Sequence, residues 1–460
     1  MGNLKPRAEP NNLKSGGISF LAGEFKRLRA HYEYQGYTVL QFDLGDSLFG
    51  SHQSFFSEGK IMLKTLKNMN YQGLLLGNLD IMQNEKILKE KIKESKLPYL
   101  ASNLEGQHVE IKSFLTFKFT EFNNIAVLGL APSNLKGEYF RAKGGHFLSQ
   151  NLAELKATLA ANPELKEYPV KILLSQHVVP AKTEDEKKFY NRLKELGFAL
   201  VVGFHFNPEQ KRSLEKDGSI FTTIPGDNMG STIKALILPV IENGKTFKKI
   251  IEKEITVSPQ RSPIDGTLAR SIVEELRKIE AISSRIVGYS SRGLKNNFEE
   301  SSSLGNFLTD MLKDYMQADI CILSSMGFRG DVPEGPVNLA RVYDIYPFGN
   351  RIVSFKSNLA ELKEILTTGF IKTSHPFQIS GLRVKIKKDG ALAIFPEKPG
   401  MDENIILATT EYEWQSLVQL KDKQPQQLKE NIQSFIVYLF ETGRFRNIKN
   451  TVFEERISRN

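Results

Sequence analysis

The sequence predicts an α/β domain followed by an α+β domain, and three observations support this organisation. Short apolar runs alternate with helical patterns through the first half of the 460-residue chain, which is typical of a sheet flanked by helices. A polar stretch with two prolines, residues 258–263, interrupts this alternation. The second half mixes helices and strands less regularly, and the chain is too long for a single hydrophobic core.

The first half begins with an amphipathic helix, in which apolar residues recur at helical spacing over residues 17–31. Polar turns follow the first two strands at residues 43–46 and 77–80, and ligand loops of α/β domains lie at such strand ends. The predicted strands are residues 37–42, 73–76, 125–130, 170–174 and 199–202, and the predicted helices are residues 59–69 and 184–196.

A hairpin and a helix mark the predicted boundary. Residues 234–241 and 246–257 read as paired strands around an Asn-Gly turn. The double-proline stretch and a helix over residues 268–279 come next. We therefore expect the domain organisation to be a first domain over residues 1–257, a linker and connecting helix over residues 258–283, and a second domain over residues 284–460.

The second half opens with a predicted strand, residues 285–289, and a helix over residues 304–316 that serines 301–303 are placed to cap. The remaining predicted strands are residues 320–323, 351–355 and 382–386, and the remaining predicted helices are residues 359–366 and a segment near 428–440.

Composition excludes several classes of protein. With 62 basic and 53 acidic residues the net charge is +9, and mixed-sign runs indicate solvated helix faces rather than a nucleic-acid surface. No apolar run reaches the roughly 18 residues of a membrane span. The single cysteine, Cys321, excludes an intramolecular disulfide. Residues 1–16 are polar and lack the apolar core of a signal peptide.

Motifs in the second half carry a family resemblance. Residues 304–310 (LGNFLTD), 327–329 (GFR), 342–350 (VYDIYPFGN) and 379–383 (ISGLR) occur in this order. Together they resemble the 5′-nucleotidase/UDP-sugar hydrolase (2′,3′-cyclic phosphodiesterase) family, and residues 43–46, 77–80, 97–103 and 203–205 match it more loosely. The resemblance implies a two-sheet α/β/β/α metallophosphoesterase sandwich followed by an α+β C-terminal nucleotide-binding domain.

In this family the first domain binds divalent metal ions of the Mn, Zn or Mg class, which generate hydroxide and polarise phosphoryl oxygens. The resemblance places Asp46 at the bridging aspartate and Asn78 at the asparagine ligand, with His177 and His205 near two histidine positions. Leu79 stands where the catalytic histidine is expected, and leucine neither donates a hydrogen bond nor transfers a proton.

Other departures weaken the predicted metal centre. In one register Phe204 and Phe206 occupy both positions of the last histidine pair, and a shift by one residue keeps His205 but brings Asn207 to the second. The ligand position after the strand at residues 170–174 aligns with Gln176, beside His177. The family's first Asp-x-His motif is absent, so we expect the true start upstream of Met1, together with any export signal.

The resemblance also implies a nucleobase clamp in the second domain. Phe348 and Tyr412 match its two aromatic residues, Asn350 would contact the base edge, and Arg329 would hold a phosphate or carboxylate. The family's Gly-Gly-Asp is replaced by residues 416–418 (SLV), and its paired arginines by Lys295, Asn296 and Phe298 or their neighbours.

Ordinary structural roles compete with these assignments. Asp46 and Asn78 are residue types that favour tight turns, and Phe348 and Tyr412 can serve core packing. Three functions follow. The first is a degenerate family member with weak or no hydrolysis that still binds a nucleotide or nucleoside-like molecule. The alternatives are an active metal-dependent hydrolase of nucleotides and a structural or interaction protein. The family resemblance also suggests a periplasmic or exported location.

Overall fold

The structure is a computed structural model that describes part of the chain. The described part comprises residues 7–8, 14–15, 17–77, 80, 85–106, 110–119, 124–132, 143, 151–175, 184–203, 221–223, 232–237, 251–372, 376–398, 400, 404–417, 419–420 and 423–459.

The chain divides into two compact units, Met1–Arg277 and Lys278–Asn460. The point of division lies within one helix, α7 (Gly266–Ser283). This position falls inside the predicted linker of residues 258–283. No helix among the described residues is both long and apolar enough to cross a membrane.

Two main sheets form the first unit. Parallel pairing joins β3 to β6 in sequence order, and the second sheet has the order β11-β10-β9-β8-β7, parallel except for the pair β7–β8. Two short antiparallel pairs, β1–β2 and β12–β13, complete the unit. The strands are β1 (Arg7–Ala8), β2 (Lys14–Ser15), β3 (Phe42–Asp43), β4 (Gly73–Leu75), β5 (Tyr99–Leu100), β6 (Ile111–Lys112), β7 (Phe114–Phe117), β8 (Ile125–Leu130), β9 (Val170–Ser175), β10 (Phe198–Gly203), β11 (Phe221–Thr223), β12 (Thr232–Ile237) and β13 (Ile251–Thr256).

The two sheets pack face to face because the side chains of β8 alternate between two cores. Ala126, Leu128 and Leu130 face α5 and α6, whereas Val127 packs with Leu100 of the other sheet. This period of two is the signature of a strand buried on both sides. The helices of the unit are α1 (Ile18–Tyr34), α2 (His52–Phe56), α3 (Lys60–Asn68), α4 (Glu85–Ser95), α5 (Leu152–Ala161), α6 (Glu184–Glu195) and the first part of α7. The two-sheet architecture predicted from the sequence is therefore present.

The second unit is built on a five-stranded sheet of order β18-β15-β21-β17-β22, with smaller sheets β14-β16 and β20-β19-β23. One face of the large sheet packs against α8, α9 and α12, and the other face packs against α10. The strands are β14 (Ile286–Ser290), β15 (Ile320–Ser324), β16 (Gly335–Asn338), β17 (Arg351–Ser357), β18 (Phe377–Ser380), β19 (Leu382–Ile386), β20 (Leu392–Pro396), β21 (Ile405–Thr410), β22 (Gln427–Asn431) and β23 (Ile457–Arg459). The helices are α8 (Ser303–Tyr315), α9 (Leu339–Ile345), α10 (Leu359–Thr367), α11 (Glu411–Ser416) and α12 (Ile432–Glu441).

Where the described residues allow the comparison, most predicted elements lie within two residues of those observed. Helices α1 and α7 extend three and four residues beyond their predicted C-terminal ends, and two further elements differ more. The strand predicted at residues 37–42 contains only the start of β3, which is two residues long. The C-terminal helix predicted near residues 428–440 begins at Ile432, because residues 427–431 pair with β17 as the edge strand β22. The expected capping of α8 is present, since the Ser302 side chain accepts a hydrogen bond from the Gly305 N–H.

Candidate functional site

Two loops of the first unit come together because β3 and β4 are parallel neighbours, with Asp43 opposite Leu74. The carboxyl ends of the two strands therefore meet at one edge of the sheet. The loop after β3 carries Asp46, whose backbone is left-handed with a φ of 56°. Aspartate tolerates this conformation better than bulkier residues. The loop after β4 leads to Asp80.

Asp80 fastens the two loops to each other. Its Oδ2 accepts hydrogen bonds from the Gly77 N–H at 2.9 Å and the Asp46 N–H at 3.1 Å, and its Oδ1 accepts one from the Leu48 N–H at 2.9 Å. The side chain is 1% exposed. Burial raises the pKa of Asp80 to about 7, and the negative charge of Asp46 adds to the increase. The Asp46 and Asp80 carboxylates are therefore electrostatic neighbours.

Asp43 braces the same loop from within the sheet edge. Its Oδ1 accepts hydrogen bonds from the Gly45 N–H at 2.9 Å and from the Ser47 hydroxyl at 2.5 Å. Burial raises the pKa of Asp43, and these hydrogen bonds act in the opposite direction. Asp43 and Asp80 thus use their carboxylate oxygens to hold the loop that carries Asp46.

Most of the predicted metal site lies outside the described residues. Asn78, Leu79, His177 and His205 all belong to that remainder. Among the residues that are described, no group of three or more histidine, cysteine, aspartate or glutamate side chains is arranged to hold a metal ion. Hard divalent cations prefer carboxylate oxygens, and Asp46 is the member of the predicted ligand set that the structure describes.

A second cluster lies at one edge of the large sheet in the second unit. β15 and β21 run parallel, and β17 runs antiparallel to β21. The carboxyl ends of β15 and β21 and the start of β17 consequently share this edge. Arg329 follows β15, Tyr412 follows β21, and Phe348 and Asn350 precede β17. The sheet topology thus gathers all four residues that the sequence places at a nucleobase site.

Arg329 and Phe348 are in direct contact. The guanidinium carbon lies 5.4 Å from the centroid of the phenylalanine ring, a cation–π distance. The Arg329 N–H also donates to the Ile345 carbonyl at 2.8 Å, which fixes its backbone to the end of α9. Phe348 is half-buried and meets Tyr346 edge to face, with ring centroids 5.9 Å apart. Phe348 therefore rests on the core and retains accessible surface.

Tyr412 and Asn350 complete the cluster. The Tyr412 side chain is 39% exposed. Burial raises its pKa, while the positive charge of Arg329 acts to lower it, so the two groups lie within electrostatic range. Asn350 hydrogen-bonds through its side chain to the buried Tyr346 hydroxyl, and its carbonyl accepts from the Ile432 N–H at 3.1 Å.

A buried carboxylate, Glu413, lies next to Tyr412 in the chain and is 1% exposed. Its Oε1 accepts a hydrogen bond from the Ser324 N–H at 3.0 Å. Its Oε2 accepts from the Thr409 hydroxyl at 3.2 Å, the Thr410 N–H at 3.2 Å and the Thr410 hydroxyl. Burial raises the pKa of Glu413, and the bonds from Thr410 and Ser324 partly offset that effect.

Asp80 and Glu413 are missing from the site predicted by sequence reasoning, although each carries a recognisable signal. Asp80 stands two positions after Asn78, a residue that suggested the metal site. Glu413 stands three residues after Thr410, which is the spacing of a capping box, and the structure contains that box at the start of α11. Local capping patterns can therefore reveal residues that organise a site.

Comparison with known proteins relates part of the second unit to a known domain family. Residues 280–392 match the family model described as 5′-nucleotidase, C-terminal domain. A curated relative, Endonuclease YhcR of Bacillus subtilis, is 26% identical over 167 residues, which is 35% of this chain but 14% of that protein. The match therefore spans about a seventh of the relative's length.

Solved structures share the fold over nearly the whole chain. The 5′-nucleotidase precursor from Thermus thermophilus has a TM-score of 0.75 at 15% identity, covering 99% of this chain and 96% of its own. A putative 5′-nucleotidase from Staphylococcus aureus, in complex with alpha-ketoglutarate, has a TM-score of 0.77 at 13% identity, with coverage of 100% and 97%. Residues 280–392 therefore match the 5′-nucleotidase C-terminal domain family, and the whole chain shares the fold of these solved structures.

Proposed function

We propose that this protein binds a nucleotide or nucleoside in its C-terminal domain and hydrolyses nucleotides weakly or not at all. The observation that carries the proposal is the gathering of Arg329, Phe348, Asn350 and Tyr412 at one sheet edge, within the domain that matches the family. This gathering depends on strand topology, since the four residues come from three separate segments of the chain.

The chemistry of the cluster suits a nucleotide. Stacking of a base on Phe348 or Tyr412 would contribute about 1–3 kcal/mol per base, as it does in nucleic-acid complexes. Asn350 would donate to or accept from the base edge. The Arg329 guanidinium is planar and permanently charged, and it would bind a phosphate or carboxylate through two parallel hydrogen bonds.

Weak hydrolysis follows from residues of the first domain. Divalent cations, when bound in this family, supply a hydroxide and polarise the phosphoryl group. Asp46, Asn78, His177 and His205 are the residues that we assign to hold such ions. Leu79 supplies neither the charge stabilisation nor the proton transfer of a histidine, and such groups are commonly worth about 10²–10⁴-fold in rate. We also expect weak binding of divalent cations, because Leu79, Phe204 and Phe206 remove polar side chains and add apolar bulk at the predicted metal site.

An active metal-dependent hydrolase is the second candidate. The loops around Asp46 favour it, because Asp43 and Asp80 use their own carboxylates to hold that residue in place. A chain that had lost every use for Asp46 would have little reason to bury two further acidic side chains beside it, since burying carboxylates costs stability.

We also infer an exported or periplasmic location. The description of the Thermus thermophilus relative as a precursor supports this inference, together with the resemblance of the motifs. Fractionation of the source cells and detection with an antibody would test it, and recovery of the protein in the cytoplasmic fraction alone would contradict it.

One experiment separates the two candidate functions. AMP and UDP-glucose are assayed with Mn²⁺ or Zn²⁺ present, and calorimetry measures adenosine and AMP binding to the same preparation. We expect heat of binding with little or no turnover, and less than two tightly held metal ions per chain by metal analysis. Robust metal-dependent turnover would establish the active hydrolase instead, whereas neither heat nor turnover would leave a structural role.

A further inference from the structure

The ends of β15 and β21 are tied together by a side chain that does not belong to the predicted clamp. Glu413 accepts the Ser324 N–H at the end of β15 with one carboxylate oxygen, and the Thr410 N–H at the end of β21 with the other. These two strand ends lead directly to the turn before Arg329 and to Tyr412. A single buried carboxylate thus spans both segments.

The network continues to the third segment of the site. The Thr410 hydroxyl donates to Glu413, and the Thr410 side chain also hydrogen-bonds with the Tyr346 hydroxyl, which bonds to the Asn350 side chain as well. The Tyr346 ring in turn packs edge to face against Phe348, at 5.9 Å between centroids. Glu413 is therefore linked by contacts to all three segments that carry the clamp.

The turn before Arg329 rests on the same tyrosine. A Cβ added to Gly327 would lie 2.5 Å from the Tyr346 ring, so the backbone of the turn packs directly on that ring. Any movement of Tyr346 would shift this turn together with Phe348. The arrangement is sensitive to geometry, since buried polar groups gain strength only when every partner is in place.

We propose that Glu413 is a positioning residue, which sets the spacing of Arg329, Phe348 and Tyr412 for the ligand without touching it. The proposal rests on the proposed function, because the ligand is the nucleotide or nucleoside assigned above. Desolvation makes a buried carboxylate costly, and here the cost is offset by four hydrogen bonds that all come from elements leading to the site.

The chain supplies a matched control at the far end of the same two strands. The Asp319 Oδ2 accepts the Ile406 N–H at 3.1 Å, and the Asp319 N–H donates to the Ile406 carbonyl at 2.9 Å. Asp319 therefore joins the starts of β15 and β21 as Glu413 joins their ends. Asp319→Asn perturbs the strand pair without touching the clamp or the Tyr346 network.

The first test compares Glu413→Gln with Asp319→Asn by calorimetry on AMP and by thermal unfolding. Glutamine keeps only one acceptor oxygen, so its NH₂ must face either the Ser324 N–H or the Thr410 N–H; a charge-assisted hydrogen bond is lost and AMP affinity should fall about tenfold. Asp319→Asn should leave AMP affinity unchanged even where it lowers the unfolding temperature. Equal losses of affinity in the two variants, or none in Glu413→Gln, would overturn the proposal.

A second pair of variants tests the bridge to Tyr346. Thr410→Ser keeps the hydroxyl and loses a methyl group, whereas Thr410→Val keeps the volume and loses the hydroxyl. We expect Thr410→Ser to retain AMP affinity and Thr410→Val to weaken it about tenfold. If Thr410 served packing alone, Thr410→Ser would weaken AMP binding at least as much as Thr410→Val, because the serine variant leaves the larger void at a fully buried site.

The single tryptophan, Trp414, gives a readout that does not depend on any ligand. It lies on α11 beside Glu413 and donates its indole N–H to the Lys423 carbonyl at 3.0 Å. Glu413→Gln should increase acrylamide quenching of Trp414, and Asp319→Asn should not. If the wild type binds neither AMP nor adenosine, the proposed function fails, and quenching that is equal in both variants then rejects the positioning role as well.

Discussion

Phe348 lies where it could serve both of the roles that the sequence left as alternatives, core packing and base stacking. Its ring contacts the buried Tyr346 on one side, and the Arg329 guanidinium lies 5.4 Å from its centroid on another. It packs at the margin of the core cluster and is not part of its fully buried set. A half-buried aromatic ring at such a margin can support the core and still offer a face for stacking.

We predict that Phe348→Ala weakens adenosine and AMP binding with only a modest loss of folding stability. Losing one stacked ring costs about 1–3 kcal/mol, which is roughly tenfold to a hundredfold in the dissociation constant. Calorimetry measures the binding, and urea unfolding measures the stability.

Phe328→Ala is the control for that change, because Phe328 is fully buried and also contacts Tyr346. It should cost about 3–5 kcal/mol of stability. A comparable stability loss in Phe348→Ala, with unchanged affinity, would show that Phe348 serves packing alone.

The residues of the proposed clamp could be placed from sequence because they sit in motifs with fixed order. The capping box of Thr410 and Glu413 can also be read from sequence, but the contact of Glu413 with Ser324 cannot, because these two residues meet only through the pairing of β15 with β21. The same limit applies to Asp80, whose hydrogen bonds to Asp46 and Leu48 reach a loop more than thirty residues earlier in the chain. Local patterns identify candidate site residues more readily than the distant contacts that position them.

At the level of elements, the backbone of α1 packs closely against the segment that precedes α7. The Asp265 N–H donates to the Ser19 carbonyl at 2.9 Å, and a Cβ added to Gly23 would lie 2.0 Å from the Pro263 carbonyl oxygen. Helix α1 therefore needs glycine at this position, because only glycine allows the backbone of residues 263–265 to approach so closely.

Asp265 fixes the start of α7 as well. Its Oδ1 accepts the Thr267 and Leu268 N–H groups, each at 3.1 Å, in the manner of a helix cap. Burial acts to raise the pKa of Asp265, but the Lys26 ammonium and these backbone donors outweigh it and hold the pKa below its usual value. The ionised carboxylate is therefore the form that the fold prefers.

We predict that Asp265→Asn lowers stability at neutral pH by about 0.5–2 kcal/mol, the usual range for a lost cap. Because the folded pKa is depressed, the contribution is complete above the unfolded pKa of about 3.9 and disappears as the pH falls through the folded value. Urea unfolding at neutral pH and at about pH 3 should show the gap between wild type and variant shrinking in acid.

Lys26→Met separates the ion pair from the cap in that experiment. The Lys26 side chain is 63% exposed, so its pair with Asp265 should contribute little beyond about 1 kcal/mol. A gap between wild type and Asp265→Asn that stays constant or widens in acid would contradict the assignment of the depressed pKa.

Element boundaries show where sequence patterns fail. Residues 37–41 are apolar enough to predict a strand, yet sheet pairing begins only at Phe42. Residues 428–431 continue the helical pattern of α12, but pairing with β17 takes them into an edge strand, and the Asn431 side chain caps the helix behind it. Tertiary pairing overrides local preference at both places.

At the scale of the whole molecule, the double-proline stretch was the sequence signal for two domains. The compact units divide at Arg277 and Lys278, within α7 and after that stretch. A continuous helix of 18 residues thus contains the division. Proline and glycine mark where a pattern stops, whereas contacts decide to which unit the following helix belongs.

The domain boundary leads to a prediction for limited proteolysis. Arg261 lies in an exposed turn before α7, and Arg285 lies in the exposed connection after it. Backbone outside helices and strands is the preferred site of nicking. Trypsin should therefore cut first at these two positions and leave two folded fragments. Mass spectrometry identifies which fragment carries α7, and circular dichroism measures whether both fragments are folded.

The two cleavage sites should differ in rate. Asp265 and Ser262 are buried, which favours Arg285 over Arg261 as the faster site. The variant Arg285→Gln should slow the first cut without changing the sizes of the fragments that later arise at Arg261. Cleavage mainly within residues 304–355 would contradict two independently folded domains, because that region holds α8, β15 and β17 at the centre of the second core.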